Sequence, residues 1–91
     1  MNDNSLHVLR RFSGHATTLV RLMAEDADFY ALCQDYEDCV NAWVYWTASR
    51  VPEAKARTEE YQTLVRDLEE EIAQALKAFK GHQLKDADSE P

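Results

Sequence analysis

The sequence predicts an all-α protein, and three observations carry that prediction. Apolar residues recur at alternating spacings of three and four in three long stretches, which is the period of an amphipathic helix. No window shows the apolar–polar alternation of a half-buried strand. The 91 residues include only two Gly and two Pro, too few for the closely spaced turns of a β-sandwich or barrel. This length is enough for one small domain.

The first predicted helix covers residues 5–24. Asn4 or Ser5 can accept hydrogen bonds from the free N–H groups of its first turn. Gly14 lies inside this stretch and costs about 1 kcal/mol relative to Ala. A kink near Ser13 and Gly14 is therefore compatible with the pattern.

The second predicted helix follows an acidic run at residues 25–28, where the phase of the apolar stripe changes. Asp26 can cap this helix, which is predicted to end near Ala48. Cys33 and Cys39 lie six residues apart within it, too far for a disulfide in one helix. Both are predicted to be reduced packing residues, which fits a cytoplasmic protein.

A short connection at residues 49–51 leads to the third helix, and Pro52 suits the first position of that helix. Because the connection is short, we predict that the second and third helices form a long antiparallel hairpin. In this hairpin Trp43 faces the small residues Ala54 and Thr58. Trp43 is therefore predicted to be well buried.

The end of the third helix is predicted at Gly81. Lys77 and Lys80 precede this glycine, and basic residues in the last turn favour the negative end of the helix dipole. Residues 1–81 are therefore predicted to form a single helical domain. Residues 82–91 are predicted to be a disordered polar tail.

The second helix is apolar on more than one face, because several large residues lie off its main stripe. The linker at residues 25–28 holds neither Gly nor Pro, which favours a helix one that continues the line of helix two. The alternative is that helix one folds back onto Val44 and Tyr45 in a monomeric three-helix bundle. We predict the continuing arrangement. The uncovered stripe would then meet its own copy in a homodimer that resembles a four-helix bundle. The predicted interaction surface comprises Tyr30, Val44, Tyr45, Leu19 and Leu22.

Several functional classes lack their sequence requirements. The net charge of −7 opposes binding to nucleic acid. No uncharged stretch approaches the roughly twenty residues of a transmembrane helix. Two glycines cannot build a phosphate-cradling loop, and none of the three His follows an acidic residue at the Glu-x-x-His spacing of di-iron bundles. We therefore predict no enzymatic activity, no cofactor, no metal and no membrane or nucleic-acid partner.

Part of the apolar pattern resembles a known family. The residues that carry the resemblance are Leu22, Met23, Ala24, Glu25, Asp26, Phe29, Leu32, Tyr36, Tyr61, Leu64, Leu68, Glu69, Glu70, Glu71 and Ile72. Together they are similar to the small YdcH-like bacterial proteins, which are short antiparallel helical hairpins. Met23 stands where that family usually has lysine, and the N-terminal helix here is longer. The family has no established activity, so the resemblance implies a fold and no site.

Three functional hypotheses fit the sequence. The leading one is a non-enzymatic protein-interaction module that self-associates and can bind a partner protein. The second is a helical bundle that binds a small ligand or metal through His15 or the acidic cluster at residues 35–38. The third is an acidic mimic of nucleic acid, suggested because residues 25–48 carry a net charge of −6 while residues 1–24 carry +2.

Overall fold

The computed structural model describes the backbone of residues 5–88 and the side chains of residues 5–80. Within that part of the chain there are four α-helices and no strand, so the predicted all-α class is confirmed. The helices are α1 (Leu6–Arg11), α2 (Ala16–Glu25), α3 (Ala27–Ala48) and α4 (Ala54–Asp88), and a 3₁₀ turn at Ser13–His15 separates α1 from α2.

The segment predicted as one N-terminal helix is therefore two helices. The break begins at Phe12, whose backbone leaves the helical region at φ −116° and ψ 40°, and the His15 N–H then donates to the Phe12 carbonyl at 2.8 Å. Ser13 and Gly14 are both weak helix formers. The sequence was compatible with a kink at these two residues, and in the structure the helix is interrupted completely there.

The chain reverses direction between α2 and α3, and the prediction that helix one continues the line of helix two is wrong. Asp26 is extended (φ −132°, ψ 106°), and its Oδ1 accepts the N–H groups of Asp28 at 3.0 Å and Phe29 at 3.1 Å. Asp26 is thus the N-cap that the sequence predicted. One extended residue with a capping side chain suffices for the reversal, so neither Gly nor Pro is needed.

The connection between α3 and α4 differs slightly from the prediction. Ser49 is extended and its N–H donates to the Trp46 carbonyl at 3.1 Å, which ends α3. Pro52 lies in the turn rather than in the helix, and α4 begins at Ala54, whose N–H donates to the Val51 carbonyl at 3.0 Å.

The helix α4 continues to Asp88, past the end predicted at Gly81. A single glycine costs a helix only about 1 kcal/mol, and no proline follows until the last residue of the chain. Within the described backbone, residues 82–88 are therefore helical and not the predicted tail. Residues 89–91 lie outside the described residues.

Contacts between α3 and α4 run in opposite orders along the two helices. Trp46 and Thr58 line one depression near the connection. Farther away, the Tyr36 hydroxyl donates to Glu69 Oε2 at 2.7 Å, and Phe29 and Phe79 line a second depression. Residue numbers fall on α3 as they rise on α4, so the two helices are antiparallel neighbours.

The core lies where α1 and α2 pack against α3 and α4. Its buried residues are Val8, Phe12, Leu19, Leu22, Phe29, Cys33, Tyr36, Val40, Val65, Ile72 and Leu76. Leu19 and Leu22 therefore belong to the core and not to the predicted interaction surface, because the reversal at Asp26 turns α2 back onto α3 and α4. Cys33 is fully buried, whereas Cys39 is half-buried.

Trp43 packs against the core but is only half-buried, so it is less buried than predicted. The reason is the length of the N-terminal segment. His7, in the first turn of α1, lies level with Asn41, since its Nε2 is 2.9 Å from Asn41 Oδ1. Trp43 lies beyond that level, where α4 is the only other element of the described chain, residues 5–88, beside α3.

Candidate interaction surface

The structure divides the five residues of the predicted interaction surface into two groups. Tyr30, Val44 and Tyr45 are exposed by 39%, 58% and 64%, whereas Leu19 and Leu22 are buried. The first group lies on α3, and its members are exposed to solvent.

Val44 and Tyr45 belong to an apolar surface at the end of α3 that lies nearest the connection to α4. We call it the tip surface, and it comprises Trp43, Val44, Tyr45, Thr47 and Ala48. All of these except Tyr45 line a shallow depression of about 390 Å³. The Tyr45 ring packs edge-on against the Trp46 ring with a centroid separation of 5.0 Å.

The polar atom nearest the centre of the tip surface is already satisfied. The Thr47 hydroxyl donates to the Trp43 carbonyl at 2.8 Å, one helical turn earlier. The hydroxyl therefore has no need of a partner, and the depression is lined by hydrocarbon and aromatic groups. An apolar exposed site of this kind favours contact with another apolar surface.

Tyr30 lies apart from the tip surface. It shares a face of α3 with Val44, because fourteen residues correspond to nearly four helical turns, but it is about 21 Å away along the axis. Residues of α1 cover the face between them. The structure therefore joins Val44 to Tyr45 and leaves Tyr30 in a separate place.

A buried carboxylate occupies the middle of that face, and sequence reasoning missed it. Glu37 is only 3% exposed, and its two oxygens accept the N–H groups of His7 at 3.2 Å and Val8 at 2.7 Å. These are free donors of the first turn of α1, and Ser5 supplies no side-chain cap to them. The available signal was helical phase, since Glu37 lies seven residues from both Tyr30 and Val44.

The two thiols are unsuited to catalysis. Burial and, to a lesser degree, the charge of Glu37 raise the pKa of the Cys33 thiol from 9.0 to about 12. Burial, with Asp35 and Asp38 nearby, also raises the pKa of Cys39. The nucleophilic thiolate form is therefore disfavoured at both positions.

The residues considered for metal or ligand binding do not converge. Among the residues that the structure describes, no group of three His, Cys, Asp or Glu side chains could hold a metal ion. The His15 Nδ1 lies 2.8 Å from Lys80 Nζ, so a cation already occupies that position. In the acidic cluster, Glu37 points under α1 while Asp35 and Asp38 are exposed to solvent.

The scattered positions of the acidic side chains also argue against the hypothesis of nucleic-acid mimicry. A mimic would present its carboxylates in a regular exposed row, but Glu37 is buried and Asp26 caps the start of α3.

No helix in the described part of the chain is long and apolar enough to cross a membrane.

Comparisons with family models, with curated proteins and with solved structures give no match to this chain. The resemblance to the YdcH-like proteins therefore stays a prediction.

Proposed function

We propose that the protein is a non-enzymatic interaction module that self-associates through the tip surface. The exposed apolar depression lined by Trp43 and Val44 is the observation that carries this proposal. In the proposed homodimer, the ends of α3 and α4 from two copies pack around a two-fold axis. The contact then resembles a four-helix bundle that is confined to one end of each chain.

The expected affinity is modest. A two-fold contact through Val44 and Tyr45 of the tip surface, extended to Val51 in the neighbouring connection, buries each of these residues twice. Six side chains, each starting about half exposed, then lose water. Full burial of such side chains contributes about 1.5–3 kcal/mol each, so half burial of six contributes about 5–9 kcal/mol. Association costs about 4–15 kcal/mol in lost freedom of motion. The favourable limit of this balance, about 5 kcal/mol, corresponds to a dissociation constant of about 0.2 mM, so the dimer forms only at concentrations of hundreds of micromolar.

Light scattering coupled to size exclusion tests the proposal. The average mass should rise from that of one 10.5 kDa chain toward that of two as the concentration increases from about 5 to about 500 μM. Val44→Lys should keep the protein monomeric over this range, because the dimer would bury an unpaired charge at the contact.

Val20→Lys is the matched control. Val20 is a valine of α2 that is 54% exposed and lies away from the tip surface. Its replacement should leave the rise in mass unchanged, and circular dichroism should show that both variants keep their helical content. A wild-type mass of one chain at every concentration would contradict the proposal, as would equal effects of the two substitutions.

A further inference from the structure

A second open depression lies at the other end of α3, between the first turns of α3 and the part of α4 that packs beside them. It has a volume of about 690 Å³. We call it the acidic groove. Its apolar floor is formed mainly by Leu22, Phe29, Leu32, Ala75 and Phe79.

Among the side chains that the structure describes, those of residues 5–80, the rim of the acidic groove carries four carboxylates and no basic group. They are Asp26, Asp28, Asp35 and Glu71. Asp26 is engaged as the N-cap of α3. The other three are exposed and form no ion pair with any cation among residues 5–80.

The nearest basic residue already has partners. The Arg21 guanidinium lies 5.9 Å from the centre of the Phe79 ring and 3.8 Å from Glu25 Oε2. It thus contacts Phe79 of the floor and pairs with Glu25, which is not one of the four rim carboxylates. Within residues 5–80, the groove combines an apolar floor with carboxylates on both sides.

The dimensions of the groove fit a short helix. The lining residues extend from 28 to 35 on α3 and from 71 to 79 on α4, which correspond to about 11 and 12 Å of helix axis. Eight or nine residues of a docked helix cover that length. Such a helix would place one apolar stripe on the floor and its flanking residues beside the rim.

We propose that the acidic groove binds an amphipathic helix rich in Lys and Arg from a partner protein. Charge complementarity selects this occupant, because a chain of net charge −7 repels anionic lipid and nucleic acid. A second copy of the protein carries the same excess of negative charge. The proposal is independent of self-association, because the tip surface lies at the opposite end of α3.

A synthetic helix serves as the probe for this site. The basic probe is a fluorescent, amidated twelve-residue peptide with the sequence LKKLLKKLLKKL, and the matched peptide has Glu in place of every Lys. Fluorescence anisotropy at about 50 mM salt should show saturable binding of the basic peptide and none of the acidic one. Binding should weaken as salt rises, because exposed ion pairs are screened.

Two pairs of substitutions locate the binding. Asp28→Asn with Asp35→Asn removes two rim charges, and Glu59→Gln with Glu70→Gln removes two exposed charges from another side of α4. Both pairs change the net charge equally. We expect the rim pair to weaken binding at least tenfold, or about 1.4 kcal/mol, and the control pair to weaken it less than twofold.

The floor is tested separately with Ala78→Arg. Ala78 is exposed and lines the groove, so this change should fill the site and supply a cation to the rim without disturbing the core. Binding of the basic peptide should then be lost. Val44→Lys, which acts on the tip surface, should leave peptide binding unchanged.

Three results would overturn the proposal. Equal weakening by the rim pair and the control pair would mean that the peptide responds to net charge alone. Equal binding of the two peptides would mean that the rim contributes no selectivity. A loss of self-association in Ala78→Arg would mean that a second copy of the chain occupies the groove.

Discussion

Replacing Glu37 with Ala should destabilise the protein by about 3 kcal/mol. The carboxylate is buried and accepts two backbone N–H groups of α1, at 2.7 Å from Val8 and 3.2 Å from His7. A hydrogen bond to a charged group contributes about 1.5–3 kcal/mol. The Val8 bond is buried and the His7 bond is only partly so, so water can replace part of the second one. The expected loss of about 3 kcal/mol therefore lies at the lower end of the range of about 3–6 kcal/mol for two such hydrogen bonds.

Urea unfolding followed by circular dichroism measures this loss, and hydrogen exchange localises it. α1 has only six residues and no side-chain cap of its own, and helices this short are not stable alone. The amides of His7 and Val8 should therefore exchange much faster in Glu37→Ala. Glu37→Gln keeps one acceptor oxygen, but the amide NH₂ group that replaces the other oxygen faces a backbone N–H of α1, and neither group can accept. We therefore expect an intermediate loss of about 2 kcal/mol.

Asp38→Ala is the matched control, because Asp38 is an adjacent carboxylate of α3 that is exposed. Its removal should change the free energy of unfolding by less than about 0.5 kcal/mol. The reasoning is refuted if Glu37→Ala costs no more than Asp38→Ala and the His7 and Val8 amides keep their protection. α1 would then be held by the burial of Val8 and Phe12 alone.

Three further predictions concern α3. Burial and the charge of Glu37 raise the pKa of Cys33 to about 12, so Cys33 should resist thiol labelling at pH 8 until the protein unfolds. Half-buried Cys39 should react first. Peptide mapping of the label distinguishes the two sites, and rapid labelling of native Cys33 would contradict the prediction. The free energy of unfolding should also fall as pH rises above about 9, because the unfolded Cys33 thiol loses its proton there while the folded one retains it. Trp43→Ala should lower the free energy of unfolding by about 1–2 kcal/mol, because Trp43 is half-buried. The loss typical of a buried aromatic residue is about 3–5 kcal/mol. Urea unfolding measures the value, and a loss above about 3 kcal/mol would contradict the partial burial of Trp43.

Local features of the fold could be predicted from the sequence because local chemistry decides them. The period of the apolar residues indicates helices, and Asp26 caps α3 because its side chain reaches the N–H groups of the next turn. The direction of the chain after Asp26 was not predictable in the same way. It depends on a single extended residue and on whether Leu19 and Leu22 find a core to enter.

The candidate site shows the same division between local and tertiary information. Excess apolar width on α3 placed Val44 and Tyr45 in the predicted interaction surface, and both side chains are exposed in the structure. Periodicity could not show that α1 begins level with Asn41 and so does not cover them. Nor could it show that Glu37 is buried, because a carboxylate on a helix is normally solvated, and its partners lie about thirty residues away in the chain.

One face of α3 shows how the short N-terminal helices determine which surfaces stay open. Tyr30, Glu37 and Val44 follow one another at intervals of seven residues and so lie on nearly the same side. Only Glu37 is covered, because the free N–H groups of α1 require an acceptor and the carboxylate requires donors once it is buried. This mutual requirement fixes where α1 begins on α3, and with it the boundary of the tip surface. A helix held by apolar contacts alone could slide along this face, whereas a capped helix cannot slide without leaving a buried charge unpaired.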